Sequence, residues 1–488
     1  MSLENIVAVA ASERPEYGRL RNNVPSPELP AGQVRTVAQL ALRDLFQSWE
    51  LDPERFGTPE WNPLGVFIPP GCRVVVKPNW VLHQNESGQG LDCLLTHASL
   101  IEAILEYAAL AHPGAVVLGD APIQRCDFNA LRIACGLDPM VQRFRSRGMN
   151  LELRDFRRTM LIGRRLRTAQ IENLQAVEDF VLCDLKTLSL LEPLAREAWK
   201  FRVTMYDPDL LQRTHGPGKH QYLIARDCLA AQVVINLPKL KCHKKAGITG
   251  ALKNLVGING NKEYLPHHRK GGRETGGDCY AGESWLKRRA EELFDAANRR
   301  RQGTARHLFG AAAGAAARLA QAFGADDNLE GSWHGNDTVW RTCLDLQRIL
   351  RYGRDDGTLS STVQRHVISI TDAIVAGEGD GPLAPTPVPA GFLTGAVNPA
   401  AAEWVHARLM GFDPVKIPLV REAFSDFPYP LAEFPPSDIR VRMRGQEQGV
   451  EDLHPFARRS FRPSKGWENH CELACDHDPA NRESTLVA

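Results

Sequence analysis

The chain has 488 residues, with 59 Lys+Arg against 58 Asp+Glu and a formal net charge of +1. Hydrophobic residues make up 43% and charged residues 24%, a globular composition that excludes a disordered chain, a collagen-like repeat and a small disulfide scaffold. Without a basic surplus, a protein whose main task is to hold nucleic acid is also excluded, because neutralising phosphates needs an excess of Lys and Arg.

Taken in chain order, residues 1–60 read as an N-terminal helical extension, with a Pro-rich opening (Pro25, Pro27, Pro30) before a helical pattern from Val34 to Phe46. A first part of an α/β core follows over 61–259. There the β-branched run Cys72–Lys77 predicts a buried strand, Ser99–Leu110 a helix and Ala115–Gly119 a second strand, which together make a βαβ unit with a parallel sheet. Gln232–Leu237 predicts a third strand, and His366–Ile370, continuing to Ala376, a fourth within a second part of the core at 336–440. Between the two parts, 260–335 is rich in Gly and Arg and reads as an inserted helical subdomain, while 441–488 reads as a C-terminal tail. The fold class expected is α/β: a mostly parallel sheet flanked by helices, with a helical Gly/Arg-rich insertion.

Membrane and redox signals are few. The low-polarity stretch Leu308–Phe323 is interrupted by Gly310, Gly314 and Arg318, too short and broken for a membrane span. With Arg299, Arg300, Arg301 and Arg306 before it, the stretch is compatible with a surface helix packing small residues on the core or with weak peripheral membrane contact. The opening Met1-Ser2-Leu3-Glu4-Asn5 lacks a secretory pattern, and eleven Cys without any C-x-x-C give neither a zinc ribbon nor a ferredoxin-type cluster, so a cytoplasmic setting is expected and an iron–sulfur cluster is not. A compact group near the end, His470, Cys471, Cys475 and His477, has zinc-ligand chemistry but lacks two separated knuckles.

In open α/β sheets ligands bind beyond the carboxyl ends of the strands, so the polar residues that follow each strand carry the functional expectation. Lys77 and Asn79 follow the first strand, Asp120 the second, and Asp372, Glu378 and Asp380 the fourth. After the third strand, which carries Asn236, come Lys239, Lys241 and His243, alternating so that an extended chain points them to one side. Gly250 then leads into Ala251-Leu252-Lys253-Asn254, a helix start whose backbone N–H groups, with Lys, suit a phosphate or carboxylate. No standard nucleotide loop is present. Lys77, Asn79, His97, Asn236, Lys239, Lys253 and Asn254 are therefore the anion-binding candidates, and Lys241, His243 and Asp120 the catalytic ones. His243 is the favoured acid/base, because imidazole titrates nearest neutrality. Asp372, Glu378 and Asp380 could supply oxygen ligands to Mg²⁺ or another divalent cation. His267 and His268 lie in a Gly-rich loop able to fold over a ligand.

Several of these segments resemble a known bacterial and archaeal family. Val76-Lys77-Pro78-Asn79, Thr96-His97, Gly119-Asp120-Ala121-Pro122, Ile235–His243, Gly250–Gly257, Asp372-Ala373-Ile374 and Gly377–Pro382 are similar to motifs of the domain of unknown function 362. The resemblance runs from about Val74 to Gly411, interrupted by 260–335, and implies one composite site. Some relatives carry an appended ferredoxin-like module, whose Cys pattern this chain lacks; and Ala401-Ala402-Glu403 has Glu where relatives commonly have Asp. The function expected is an enzyme acting on an anionic, phosphate- or carboxylate-bearing small metabolite, by Mg²⁺-assisted group transfer or hydrolysis. A non-catalytic ligand-binding or accessory protein, and a redox protein using Cys242, Cys471 or Cys475, remain the alternatives. Nothing in the sequence sets the oligomeric state.

Overall fold

The computed structural model describes residues 3–18, 36–162, 169–172, 175–204, 206–300, 303–322, 329–455 and 460–473. A twelve-stranded sheet organises the chain. Its strands are β1 (Ile6–Ala11), β2 (Arg73–Pro78), β3 (Ala115–Asp120), β4 (Leu151–Asp155), β5 (Val233–Leu237), β6 (Lys239–His243), β7 (Gly247–Thr249), β8 (His366–Asp380), β9 (Ala384–Val388), β10 (Phe392–Ala396), β11 (Arg440–Met443) and β12 (Gln446–Gly449). The spatial order is β12-β11-β1-β10-β8-β5-β2-β3-β4, with β6 and β9 paired to β8, and β7 paired to β6. The run β8-β5-β2-β3-β4 is parallel throughout, so the sheet is mostly parallel, as the Val/Ile-rich strands require.

Both faces of that run are covered. In β2, Val74 and Val76 enter one core while Val75 enters the other, and in β5 Ile235 and Val234 divide the same way. Period-two alternation thus persists inside strands whose central residues are apolar on both faces. Helices α1 (Val37–Ser48) and α2 (Ala98–Leu110) supply Leu42, Leu45, Ile101 and Leu105 to the first core. The short α3 (Ala251–Asn254) together with α6 (Val339–Tyr352) and α7 (Pro399–Leu409) covers the second. Helix α1 starts on a capping box between Thr36 and Gln39, which satisfies two N-terminal backbone groups at once.

Two boundary expectations are corrected. The segment 1–60 is not only helical, because Ile6–Ala11 lies inside the main sheet between β11 and β10. Its side chains Ile, Val and Ala are short enough to pack on both faces. The tail expected from 441 begins instead with β11 and β12, which close that edge of the sheet. The insertion is helical as expected, with α4 (Trp285–Asn298) and α5 (Thr304–Ala322) packed on each other. It is also tied to the core by His268–Arg269, which pairs with Phe201–Arg202. Ala313, Ala317 and Ala320 of α5 are buried, while Leu308 and Leu319 are exposed. Among the described residues no helix is long and apolar enough to cross a membrane.

Candidate functional site

Beyond the carboxyl ends of β2, β3, β6 and β8 opens a cavity of about 600 Å³. Asn79 follows β2, Asp120 ends β3, His243 ends β6, and Pro382 and Leu383 follow β8, so four strand ends meet in one place. The opposite wall comes from Val203, Thr204 and Tyr206, and from Lys262, His267, Phe294 and Glu330 of the insertion.

A sealed polar layer supports the floor. The Lys77 ammonium contacts Asp120 Oδ1 at 2.7 Å and donates to Asn254 Oδ1 at 3.0 Å and to the Pro78 carbonyl at 2.9 Å. Asn254 Oδ1 also accepts from Asn79 Nδ2 at 2.9 Å, and its Nδ2 donates to Asn236 Oδ1 at 2.8 Å. Asp120 further accepts from the backbone N–H groups of Trp80 (2.7 Å) and Ala121 (2.9 Å). Burial drives the Asp120 carboxyl up and the Lys77 amine down, and the short ion pair opposes both. Gly257 is required here, since a Cβ would stand 1.9 Å from Asp120 Oδ1. Lys77, Asn79, Asp120, Asn236 and Asn254 therefore come together, with Asn79, Asp120 and Asn254 reaching the cavity wall.

The cations around the cavity are differently placed. Lys253 is 9% exposed, faces the cavity, and makes no hydrogen bond or ion pair among the described residues. Burial lowers its pKa. Lys245 donates to Thr204 Oγ1 at 3.0 Å and Lys262 to the Ala121 carbonyl at 3.1 Å; burial brings each to about 8. Asn79 Oδ1, Gln124 Oε1 and Thr249 Oγ1, all on residues lining the cavity, are buried without a hydrogen-bond partner among the described residues.

Two histidines face this space in opposite tautomers. His243 Nδ1 accepts from the backbone N–H groups of Lys245 and Ala246, both at 3.1 Å, so its proton is on Nε2. His267 Nδ1 lies 2.6 Å from the Leu265 carbonyl oxygen, which can only accept, so His267 carries its proton on Nδ1 and leaves Nε2 bare. Both are held well below the ordinary histidine value, by burial first and then by Lys253. The pair thus offers one N–H donor and one lone pair, both neutral at pH 7. His267 stood in the sequence only as a loop histidine, and Lys245 and Lys262 carried no signal of their own; what selects the two lysines is burial against the cavity without an ion pair among the described residues.

The remaining candidates lie off the cavity. Of the alternating trio on β6, only His243 lines it. Lys241 is buried, donates to the Leu94 carbonyl and is brought to about 7, by burial and then by Lys239. Lys239 contacts Asp372 Oδ2 at 2.8 Å and donates to Tyr17 Oη at 2.6 Å and to the Val375 carbonyl at 3.1 Å. Tyr17 donates to Asp372 Oδ1 and stacks on His97 at 3.7 Å, and the His97 N–H donates to Asp372 Oδ2 at 3.0 Å. Asp372 is therefore satisfied by Lys239, Tyr17 and a backbone N–H. Glu378 Oε2 accepts from the Arg462 N–H at 2.9 Å, and Asp380 is exposed at the end of β8. The three carboxylates expected to hold a cation do not converge, and among the described residues no three His, Cys, Asp or Glu side chains form a metal-binding group.

The start of α3 also differs from its expectation. Its first N–H, from Ala251, donates to Glu403 Oε2 at 2.7 Å, so the protein's own carboxylate occupies that position. Glu403 in turn contacts His406 Nδ1 at 3.0 Å, and His406 Nε2 lies 2.8 Å from Thr394 Oγ1. Gly250 is fixed by this contact, because a Cβ there would stand 2.1 Å from Glu403 Oε2. Of the C-terminal group, His470 stacks on His334 at 3.9 Å and Cys471 is buried, while Cys475 and His477 lie outside the described residues. Cys242 is buried with its thiol 3.3 Å from the Arg462 carbonyl oxygen.

Residues 193–408 match the family model described as "Domain of unknown function (DUF362)", the family that the motifs resemble. No curated protein matches. A crystal structure of a protein from Thermotoga maritima is similar at 9% identity over 67% of this chain and 51% of that one, with a TM-score of 0.29. The chain thus spans about half the length of that neighbour, and a likeness so distant carries no argument about function.

Proposed function

We propose that the protein is an enzyme acting on a small phosphate- or carboxylate-bearing molecule held in this cavity. The observation that carries the reading is Lys253, a buried ammonium that faces open space without a counter-ion among the described residues. A buried charge is costly unless paired, and Lys245 and Lys262 enter the same cavity with pKa values brought to about 8. A ligand oxyanion supplies the missing charge.

The chemistry supported is group transfer or hydrolysis. His267 Nε2 accepts the proton of an attacking hydroxyl or water as its oxygen bonds to phosphorus or carbonyl carbon. The bond from phosphorus or carbonyl carbon to the leaving oxygen then breaks, its electron pair staying on that oxygen, which takes the proton back from His267; charge that builds up on the way is stabilised by Lys253 and by the His243 Nε2–H, which acts as a neutral donor rather than as the proton-transferring acid/base. Its proton is not released, because a neutral imidazole is a very weak acid. Asp120 and Lys77 position Asn79 and Asn254 beneath the ligand. A Mg²⁺ ion, if the reaction uses one, arrives with the phosphate of the substrate, since such ions keep water and substrate oxygens as ligands. A reducing, cytoplasmic setting belongs to the same proposal and is supported by ten described cysteines, all free thiols.

The test is to incubate the protein with pooled phosphorylated and carboxylated metabolites, with and without Mg²⁺, and to follow conversion by mass spectrometry. Wild type converts at least one compound, and His267→Gln slows that conversion at least a hundredfold while inorganic phosphate still binds. Stabilisation by a compound with no product from any pool overturns the enzyme reading in favour of a ligand-binding protein.

A further inference from the structure

The cavity is larger and more apolar than an oxyanion requires. About 600 Å³ is the size of pockets that enclose whole organic ligands, roughly 300–1,000 Å³. The lysines and histidines come from residues 243–267, with Glu86, Asp120, Arg125 and Glu330 as the other charged side chains, whereas Trp80, Ile123, Val203, Tyr206, Phe294 and Leu383 line the cavity from other elements. Trp80, Val203 and Tyr206 are each buried, and water against such walls gains few hydrogen bonds. Sequestering a phosphate alone would leave this apolar surface facing solvent for no energetic return.

We propose that the natural ligand is an amphiphile, an organic phosphate or carboxylate whose anionic group meets Lys253 and whose apolar body of several carbons lies against Trp80, Ile123, Val203, Tyr206, Phe294 and Leu383. The inference rests on the anion site proposed above and adds the class of group attached to the anion. The insertion acquires a role through it, because Phe294 on α4 supplies part of the apolar wall while Lys262 and His267 of the same region serve the anionic group. Glu86 and Arg125 neutralise each other in an ion pair, and Glu330 accepts a hydrogen bond from Thr204 Oγ1 at 3.2 Å beside the apolar wall.

The experiment measures binding of inorganic phosphate and of methyl, butyl and hexyl phosphate to the full chain at pH 7, with hexanol as the uncharged control. Affinity rises by about fourfold per methylene along the series, the expectation for burying each CH₂, and hexanol binds far more weakly than hexyl phosphate. Phe294→Ser and, as an independent second variant, Ile123→Ser each lower hexyl phosphate affinity about tenfold while leaving inorganic phosphate affinity within twofold. If phosphate binds and affinity is flat or falls with chain length, the amphiphile is overturned and the anion site stands. If hexanol binds as well as hexyl phosphate, the anionic anchor is overturned. If no member of the series binds, both readings fall.

Discussion

Two buried lysines of this molecule, Lys239 on β6 and Lys253 on α3, differ in what surrounds them. Lys239 contacts Asp372 at 2.8 Å, shares Tyr17, and is covered by the Tyr17–His97 stack. Lys253 is nearly as buried, yet faces a cavity without a hydrogen bond or ion pair among the described residues. The first arrangement is complete as it stands and works as structure, joining the N-terminal segment to β6 and β8. Under the proposed function, a ligand oxyanion completes the second. Residue type does not separate these cases; the partner does.

Breaking the closed arrangement has the largest effect. Asp372→Ala strands the Lys239 ammonium and costs about 3–5 kcal/mol of stability in chemical denaturation, while phosphate binding at a permissive temperature is retained. Gly257→Ala follows. A Cβ 1.9 Å from Asp120 Oδ1 forces the Lys77–Asp120 pair apart, with a loss of about 1–3 kcal/mol. Lys253→Met has the opposite sign: removing an unpaired buried charge stabilises the ligand-free protein by about 1–2 kcal/mol in the same assay. Equal loss of stability in Lys253→Met and Asp372→Ala would erase the distinction between the two lysines.

The smallest effect is the pH dependence. Lys245 and Lys262 titrate near 8 in the folded protein and near 10.4 when unfolded. Between these values the unfolded chain binds more protons, so their contribution makes the ligand-free protein more stable as pH rises from about 8 to 10, and less stable as pH falls through that window. An oxyanion favours their charged forms, so phosphate binding takes up protons near pH 8 and weakens above it. Calorimetric titration in buffers of different ionisation enthalpy checks this; proton release on binding contradicts it.

Much of the fold was legible in the sequence because β2, β3, β5 and the start of β8 are β-branched runs buried on both faces. The Ala-containing β1 and the Arg-containing β11 lack that signature and reach the sheet only through pairing with distant strands. For the site, position after a strand brought forward Asn79, Asp120 and His243, and the helix start after Gly250 brought forward Lys253 and Asn254; all five line the cavity. The same rule also gathered Lys239, Lys241 and Asp372, because it cannot tell a charge that meets its partner from one that meets a cavity. Alternation on β6 was real, yet burial directed Lys241 to the Leu94 carbonyl instead of the cavity. His267 was named only as one of two loop histidines; its place at the cavity and the Leu265 carbonyl that fixes its tautomer distinguish it.

The central claim, that Lys253 awaits an anion, is tested most directly by calorimetric titration of inorganic phosphate into wild-type protein and Lys253→Met at pH 7. Phosphate binds wild type and binds the variant at least tenfold more weakly. Equal affinity in the two proteins would contradict the claim.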